Sequence, residues 1–537
     1  MTAEYLSVKN CLRNTVLFGA AGILMVISLL LFLFGSCYMQ AAVQTLLAAN
    51  VALNVAAIWD ACVHIRRDFA FLVFAGAFDL LLLGRVYVAF VSDFGDYHHL
   101  LYDLEANDLP NLYTALFAVT LAFLCVCAAY HLSSPLFLRR ENALKEKGRG
   151  AVRRSATVPI IRQISVAVLL VSSLAFFYML AHTILDVHRY GYLGSFTQTE
   201  DKNVPALLSR LSMFFTPSFA VFLATLPDRK QMKLPLAVYG IYMLASLFTG
   251  RRNTFVCEAL MIVIYFVLRD TLRKKDRRLL KKHTVFWAVI ALLAAMYVLE
   301  LVAELRAGWA VGSKDLFSSL VSFVYSQGAS FRVVIQTVNN WDMIDHSTAW
   351  QFLFYPFEMF FHNFTFTRTA FGLTPIVETQ SAAFVQTTHN FAHYITYLVD
   401  PGRYLAGGGF GTSYVAEGYV AYGFCGVAAV SAMVGVVLRF FGSMLTRSWV
   451  IVACGLIALK DFVYIPRNFA FSWVPDVFNL TYLCFYIAVY LLALLLLSIG
   501  THVRTVRAAP ARRMSPQATL APQATLAPQA PSGEEAT

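Results

Sequence analysis

Apolar segments of about 20 residues, the length at which a helix crosses the hydrocarbon core of a bilayer, recur along the whole of this 537-residue chain. Because hydrocarbon offers no water to backbone polar groups, only helices and closed barrels can span it. The sequence lacks the alternating pattern of barrel strands and is 58% hydrophobic. It therefore predicts an all-α polytopic membrane protein.

Hydropathy divides the chain into about twelve predicted transmembrane helices. The predicted spans are residues 15–35, 40–62, 69–91, 111–131, 164–187, 206–226, 234–250, 254–268, 284–303, 420–441, 448–465 and 477–499. They define four regions: a bundle of nine spans over 1–303, a large loop over 304–409, three further spans over 410–500, and a tail over 501–537. The tail repeats the sequence Pro-Gln-Ala-Thr-Leu-Ala and is predicted to be disordered.

Basic residues alternate between the loops and indicate the orientation of the chain. Lysine and arginine are concentrated in residues 139–162, 228–230 and 269–282, whereas residues 92–110 contain acidic residues and neither lysine nor arginine. Because basic loops are cytoplasmic, both termini are predicted to be cytoplasmic. These basic loops carry most of the net charge of +11 and attract anionic lipid headgroups. The charge does not indicate a nucleic-acid partner.

A pair of arginines interrupts this charge pattern. Arg251 and Arg252, followed by Asn253, lie in a short turn between two predicted spans on the extracytoplasmic side. Short loops on that side are depleted in lysine and arginine. We therefore interpret the pair as binding an anionic ligand at the outer membrane face.

The predicted loop over residues 304–409 is far longer than an ordinary connection between helices. Residues 316–325 have apolar side chains at helical spacing, and residues 350–366 are rich in aromatic side chains. We expect both segments to form amphipathic helices at the membrane interface or over a cavity. A structured loop of this size favours a functional role, and its aromatic rings can stack on sugars.

Three arginines of this loop, Arg332, Arg368 and Arg403, are candidates for binding phosphate. The guanidinium group presents a rigid fork of donors that matches phosphate oxygens. Ion pairing with acidic residues, or contact with lipid headgroups, is the competing explanation for each arginine.

His389 and His393 are spaced by four, so a helix would place them on one face. This spacing can bind zinc, but the zinc-protease motif requires a glutamate where the chain has Asn390. No third ligand is evident, and no metal is predicted. Either histidine is a candidate general base, or a partner for a sugar hydroxyl. A purely structural role is the alternative.

A glycine-rich segment, residues 407–413, precedes the acidic residue Glu417. Its flexibility would let backbone amides approach a ligand. Glu417 is predicted near the outer end of the tenth span, where an acidic side chain is costly unless it is paired or used. It is a candidate base for an acceptor hydroxyl, and a salt bridge to a loop arginine is the alternative.

The sequence has no signature of an enzyme that uses nucleotides. Walker A, strand-linked GxGxxG and Asp-x-Asp sugar-nucleotide motifs do not occur in a suitable setting. The nine cysteines fall mostly within or at the ends of apolar segments and indicate no disulfide framework. No cofactor is predicted.

Several short motifs give the chain a resemblance to a known family. They are Thr-Gly-Arg-Arg-Asn at 249–253, Tyr-Ser-Gln-Gly-Ala-Ser at 325–330, Asn-Phe-Ala-His-Tyr at 390–394, Gly-Gly-Phe-Gly-Thr-Ser at 408–413 and Ala-Glu-Gly-Tyr-Val-Ala-Tyr-Gly at 416–423. With its many spans and late outer loop, the chain resembles the Wzy-type oligosaccharide repeat-unit polymerases, which include O-antigen and enterobacterial common antigen polymerases. On this resemblance, Gln327, Ser330, Asn390 and Ser413 join the arginines as candidate substrate-binding residues.

The resemblance implies a GT-C-like fold and an inverting, metal-independent glycosyltransferase. Such enzymes join repeat units carried on undecaprenyl diphosphate at the periplasmic face of the bacterial inner membrane. The growing chain leaves its lipid diphosphate when a hydroxyl group of the next unit attacks. Preorganised arginines suit this chemistry because negative charge develops on the leaving diphosphate. A chain-length regulator and a flippase are the implied protein partners.

Two other functions are compatible with the sequence. An O-antigen ligase would use the same donor but a lipid A core as acceptor. A polysaccharide flippase or other transporter would also contain many spans. Transporters often consist of two similar halves, whereas the membrane region of this chain shows no internal repeat and has a strongly asymmetric outer loop.

Overall fold

The computed structural model describes residues 2–146, 156–197, 205–250, 252–272, 290, 293–301, 315–363, 365–373 and 380–508. This part of the chain consists of helices joined by turns and contains no strand. The all-α class predicted from the sequence is confirmed.

The first half of the chain contains eleven helices in its described part. They are α1 (Thr2–Leu33), α2 (Met39–Val63), α3 (Ile65–Phe78), α4 (Gly84–Ser92), α5 (Tyr97–Leu104), α6 (Leu109–Glu146), α7 (Val158–Thr197), α8 (Ala206–Ser212), α9 (Phe215–Ala224), α10 (Arg229–Ser246) and α11 (Arg252–Asp270). A π-helical stretch, Asp79–Leu83, joins α3 to α4 and brings the apolar face of both helices into the core.

Residues 293–301 are also helical, and after them the described part of the chain contains eleven further helices. They are α12 (Leu316–Gln327), α13 (Ser330–Asn339), α14 (Trp350–Asn363), α15 (Thr365–Ala370), α16 (Ala382–Thr387), α17 (Phe391–Val399), α18 (Pro401–Leu405), α19 (Tyr414–Ser443), α20 (Trp449–Tyr464), α21 (Trp473–Val477) and α22 (Leu480–Ala508). Helix α22 extends past the predicted start of the tail, and residues 509–537 lie outside the described part.

Ten helical segments of the described chain are long and apolar enough to cross a membrane. They are Val16–Leu33, Ser36–Val63, Ile65–Ser92, Leu109–Phe137, Val158–Gly191, Ala206–Ala224, Arg229–Thr249, Tyr414–Thr446, Trp449–Arg467 and Trp473–Ile499. The predicted span 254–268 falls in α11, which carries several charged residues and does not belong to these ten. Most of the predicted span 284–303 lies outside the described residues. The structure thus supports a multi-pass membrane protein with ten candidate spans, where the sequence predicted about twelve.

Helix α19 forms the centre of the bundle. It packs along α6 and also contacts α3 and α14. Its backbone departs from helical geometry at Tyr422 and Gly423, so that α19 consists of two helical pieces. The buried core runs through α2, α3, α6, α19 and α20.

One end of the bundle gathers three separate parts of the chain and is called the loop end below. Asn339 Nδ2 donates a hydrogen bond to the carbonyl oxygen of Glu105 at 2.7 Å, which joins residues 93–108 to α13. The rings of Phe354 and Phe471 stack with their centroids 5.7 Å apart, which joins α14 to the connection before α21. The loop end is the end that the charge pattern predicts to be extracytoplasmic.

Candidate functional site

Three arginines from distant parts of the sequence meet at the loop end. Arg85 lies at the start of α4, Arg332 in the first turn of α13, and Arg403 in α18. The guanidinium carbons of Arg332 and Arg403 lie 4.1 and 5.2 Å from the centroid of the Phe410 ring. The guanidinium carbon of Arg85 lies 4.6 Å from the centroid of the Tyr325 ring. We call Arg85, Arg332 and Arg403 the arginine cluster.

Glu105 supplies the nearest negative charge to this cluster. Its Oε2 lies 2.6 Å from Arg332 Nε, and its Oε1 lies 3.7 Å from Arg85 Nη1. Glu105 itself has a left-handed backbone with φ of +58°, a conformation that is uncommon for a residue with a side chain. Gln336 Nε2 also donates to Glu105 Oε2, at 3.3 Å. One carboxylate therefore bridges two arginines.

Four acidic side chains lie within electrostatic range of the arginine cluster or of Tyr325 beside it, namely Glu105, Asp400, Asp103 and Asp93. Burial lowers the pKa of Arg332, while Glu105 raises it and the charges of Arg403 and Arg85 lower it. Asp400 is also within electrostatic range, but its Oδ1 accepts the backbone N–H of Arg403 at 2.9 Å, as the N-cap of α18. Three guanidinium groups thus lie near four carboxylates, of which Glu105 is directly paired and Asp400 caps a helix. The guanidinium N–H groups that Glu105 does not occupy are the candidates for binding phosphate oxygens.

Close backbone packing fixes Arg85 in the cluster. A Cβ atom added to Gly328 would lie 2.0 Å from the backbone nitrogen of Arg85, which is far inside van der Waals contact. Gly328 separates α12 from α13, so its lack of a side chain lets the Tyr325 and Arg332 segments approach α4 together.

Replacing Gly328 with alanine is expected to lower the free energy of unfolding by about 1–3 kcal/mol, because the added methyl group meets backbone rather than a mobile side chain. Thermal unfolding of the detergent-solubilised protein measures this effect. Gly76→Ala is the matched control, since nothing lies within 4 Å of a Cβ at Gly76 in helix α3. Equal unfolding temperatures for the two variants would contradict the packing described here.

The glycine-rich segment before α19 positions an aromatic ring within the cluster. The Phe410 backbone N–H donates to Thr396 Oγ1 at 3.0 Å, and the Gly408 N–H donates to the Arg403 carbonyl oxygen at 2.9 Å. The sequence predicted that amides of this segment would approach a ligand, whereas these two amides bind the protein. The segment instead holds the buried Phe410 ring against Arg332 and Arg403.

His389 forms a carboxylate–histidine pair with Glu358 of α14. The imidazole Nδ1 lies 3.1 Å from Glu358 Oε2, and the backbone N–H of His389 donates to the same oxygen at 3.3 Å. A carboxylate that accepts the Nδ1 proton fixes the ring orientation and leaves Nε2 as the basic nitrogen. With 39% of its side chain exposed, His389 can exchange a proton with a bound molecule.

His393 occupies a different environment from His389. Its Nδ1 lies 3.0 Å from the Tyr404 hydroxyl oxygen, and its ring packs on Phe384. The prediction that both histidines share one helical face is wrong, because α17 begins only at Phe391, after His389. Asn390 is the N-cap, and its side chain accepts the His393 backbone N–H at 3.2 Å.

Burial lowers the pKa of His393 from 6.5 to about 4, since a dry environment disfavours the imidazolium ion. Between these two values the unfolded chain binds a proton that the folded protein does not. Stability contributed by neutral His393 is therefore lost as the pH falls from 6.5 through about 4.

We expect the wild-type protein to lose more thermal stability between about pH 7.5 and about pH 5 than the His393→Gln variant, which cannot titrate there. Unfolding temperatures of both proteins at the two pH values measure this difference. A larger loss in the variant would contradict the depressed pKa.

Glu417 and Ser413 lie at the start of α19. Glu417 is fully buried, its Oε1 accepts the Thr412 hydroxyl at 2.6 Å, and its Oε2 accepts the Ala470 backbone N–H at 2.9 Å. The Ser413 hydroxyl caps α19 by accepting the Val415 N–H. Glu417 thus binds a hydroxyl and an amide rather than an arginine, and it joins the glycine-rich segment to the connection between α20 and α21. Its predicted role as a base stays a prediction.

The remaining predicted residues lie apart from the arginine cluster or beyond what the structure describes. Arg251 lies outside the described residues, and of Arg252 only the backbone, at the start of α11, is described. Asn253 is exposed on α11. Arg368 lies on α15, and no hydrogen bond or ion pair among the described residues connects it to the cluster.

Two residues of the Tyr325–Ser330 motif flank the cluster. Gln327 is the last residue of α12 and is half-buried. Ser330, the first residue of α13, is buried, and its Oγ has no hydrogen-bond partner in the part of the chain that is described. The described residues also contain no group of three histidine, cysteine or acidic side chains able to hold a metal ion.

The structure adds four residues that sequence reasoning missed as site residues. They are Glu105, Tyr325, Glu358 and Phe410. Arg85 is a charged residue within the predicted span 69–91, and such residues are rare there unless they function. Glu358 is the single acidic residue of the aromatic segment 350–366. A lone carboxylate among aromatic side chains is the sequence feature that could have indicated a functional role.

Comparison with known proteins identifies one family. The family model described as O-antigen polysaccharide polymerase Wzy matches residues 22–498, which include the whole loop end, eight of the ten candidate spans completely, and most of the first and last spans. No curated protein matches the chain, and no solved structure matches it.

Proposed function

Since the chain belongs to the Wzy family of O-antigen polysaccharide polymerases, we propose that it polymerises oligosaccharide repeat units linked to undecaprenyl diphosphate, at the periplasmic face of the inner membrane. The family covers the coarser function, which is O-antigen repeat-unit polymerisation by a multi-pass inner-membrane protein. The lipid carrier, the membrane face and the reaction mechanism are the proposal.

The arginine cluster is the observation that carries this proposal. A lipid-linked sugar leaves its carrier as a diphosphate, and preorganised donors accelerate such a step by stabilising the charge that develops. Arg85 and Arg332 are half-buried and Arg403 is exposed, so a ligand can reach all three from the loop end. Under the predicted topology, this is the periplasmic side, and both termini are cytoplasmic.

The proposed reaction inverts the anomeric carbon and uses no metal or cofactor. A hydroxyl oxygen of the acceptor unit forms a bond to the anomeric carbon of the growing chain, and the bond from that carbon to the diphosphate oxygen breaks. The hydroxyl proton moves to His389 Nε2, while Glu358 stabilises the imidazolium that results. The electron pair of the broken bond stays on undecaprenyl diphosphate, whose charge the arginine cluster neutralises.

Helix α17 connects the proposed base to the arginine cluster. His389 lies two residues before α17, and Thr396 of that helix binds the backbone of Phe410, whose ring packs on Arg332 and Arg403. We propose a GT-C-like membrane glycosyltransferase on this basis. Glu417 is the second candidate base, and it would have to release the Thr412 hydroxyl first.

The predicted arginine pair at the start of α11 is proposed to bind the diphosphate of the second lipid-linked substrate. Arg251 precedes α11 in the sequence, and Arg252 and Asn253 are its first two residues. A polymerase holds donor and acceptor together. A flippase that delivers the repeat units and a chain-length regulator are the proposed protein partners.

Surface polysaccharide of a gene-deletion strain tests the proposed function. A polymerase predicts that the long-chain ladder disappears on a gel while a single repeat unit stays attached to the lipid A core, and that the wild-type gene restores the ladder. Loss of single-unit material as well would instead favour a ligase or a flippase. An unchanged ladder would contradict all three functions.

A further inference from the structure

An acidic residue lies inside the bundle, at the point where a spanning helix changes its geometry. Asp79 is the first residue of the π-helical stretch Asp79–Leu83, halfway along the candidate span Ile65–Ser92. Its Oδ1 is buried and has no hydrogen-bond partner among the described residues. An ionised carboxyl group in the hydrocarbon region is costly, so such residues are usually paired or functional.

Neutral oxygen atoms surround this carboxylate. Tyr87, about two helical turns further along the span, forms a hydrogen bond with Asp79. The Tyr87 hydroxyl also contacts Asn50 Oδ1 at 2.8 Å and accepts a hydrogen bond from Asn54 Nδ2 at 3.2 Å. Asn50 Nδ2 in turn donates to Thr120 Oγ1 at 3.1 Å. The network joins α2, α4 and α6 to the π-helical stretch.

This network has more acceptors than donors. The Tyr87 hydroxyl carries one proton, for which Asn50 Oδ1 and the Asp79 carboxylate both compete. Asn54 is 4% exposed, and its Oδ1 also has no hydrogen-bond partner in the part of the chain that is described. The two unpartnered oxygens therefore belong to groups that bind the same hydroxyl. Buried acceptors without a partner are costly, and a cation would satisfy both of them.

The charges around Asp79 leave room for one positive ion. Asp60 and Asp79 both lie within electrostatic range of the buried Cys127 thiol. Asp60 has a partner, because its Oδ2 lies 3.7 Å from His131 Nε2. Within the described ranges, no basic side chain acts on Asp79. A monovalent cation would therefore neutralise the Asp79 carboxylate without adding net charge to the bundle.

We infer that Asp79, with the side-chain oxygens of Asn50, Asn54 and Tyr87, forms a binding site for a sodium ion. Hard cations prefer oxygen ligands, and a single carboxylate matches a single positive charge. Irregular turns in membrane helices coordinate sodium in transporters, and π-helical turns are frequent at functional sites. The bound ion would fix the π-helical stretch and the start of α4. Sodium binding here does not depend on the reaction proposed above.

Thermal unfolding of the purified protein in detergent tests this site, with sodium, potassium or choline chloride at equal ionic strength. A ligand that binds only the folded state stabilises it more as its concentration rises. We expect the unfolding temperature of the wild type to rise with sodium concentration, to rise less with potassium, and not to rise with choline. Asp79→Asn keeps the size of the side chain but removes its charge, and it should abolish the sodium response. Asp342→Asn removes the same charge from an exposed residue and should keep the response.

Direct binding of radioactive sodium keeps the test independent of how the Asp79 variant folds. We expect the wild type to show saturable binding that unlabelled sodium displaces and choline does not. Asn54→Leu removes one neutral oxygen ligand and should weaken this binding roughly tenfold.

Three results would overturn the sodium site. A wild type that binds no sodium and unfolds at the same temperature in all three salts would hold a protonated Asp79 instead of an ion. A sodium response that Asp79→Asn retains, or that Asp342→Asn also loses, would indicate a general effect of salt. Equal stabilisation by sodium and potassium would contradict a site that selects sodium.

Discussion

Replacing Arg332 with alanine is expected to abolish the long-chain polysaccharide ladder while the single repeat unit persists. Arg332 contacts both Glu105 and Phe410, and it stands between Arg85 and Arg403 in the cluster. Removing one preorganised donor from a charge-stabilising site typically slows the chemical step by about 10²–10³-fold. Complementation of a deletion strain, followed by gel analysis of surface polysaccharide, measures the effect.

The conservative variant and a distant one complete this experiment. Arg332→Lys keeps the charge but loses the fork of donors, so we expect short chains and incomplete rescue. Lys230→Ala removes a positive charge from an exposed residue at the start of α10 and should leave the ladder unchanged. A normal ladder in Arg332→Ala, with normal amounts of protein in the membrane, would exclude the arginine cluster from the reaction.

His389→Ala is expected to cause a loss of similar size, about 10²–10⁴-fold, because proton transfer to a positioned base contributes that much. Glu358→Gln should have a smaller effect on rate, since the amide no longer stabilises the imidazolium that forms during proton transfer. Rates of chain extension in membrane vesicles measure both effects.

His346→Ala is the control for this prediction. His346 is an exposed histidine of the same loop, and its Nε2 lies 2.9 Å from the Trp341 carbonyl oxygen, away from Glu358. It should extend chains at the wild-type rate. If His389→Ala also extends chains normally while Glu417→Gln does not, the base is Glu417, and the proton path proposed through His389 and Glu358 is wrong.

The sequence was sufficient to predict the all-α membrane class and two members of the arginine cluster. Long apolar segments restrict the possible folds, because every backbone N–H and C=O group in the bilayer must form a hydrogen bond within the protein. Arg332 and Arg403 stood out because they are basic residues in a loop predicted to be periplasmic, where lysine and arginine are rare. Nothing in their spacing, however, indicated that both stack on Phe410.

The pairs that complete the site depend on tertiary structure. Glu105 and Arg332 are more than two hundred positions apart in the chain, and they meet only because α13 packs at the loop end beside α5. Likewise, His389 and Glu358 come together through the packing of α14 against α17. Local periodicity carries no information on such contacts, and it also misplaced His389 on a helix that begins two residues later.

Glu417 illustrates a different limit of sequence reasoning. An acidic residue near the end of a span indicates either a function or an ion pair. For Glu417 the sequence therefore left two roles open, a salt bridge to a loop arginine and a general base. The structure gives the carboxylate two neutral donors, Thr412 and Ala470. The sequence pattern of charged residues does not indicate backbone N–H donors. The hydrogen bonds by which Glu417 joins the Thr412 and Ala470 segments were therefore not predicted.

The most direct test of the account is the reaction itself, carried out with purified protein and a lipid-linked repeat unit in the presence of a metal chelator. The account predicts that the wild type forms chains of several repeat units and releases one undecaprenyl diphosphate for each new glycosidic bond. It also predicts that Arg332→Ala forms neither product. A wild-type protein that leaves the substrate intact, or that transfers it only to an added lipid A core, would contradict the proposed polymerase.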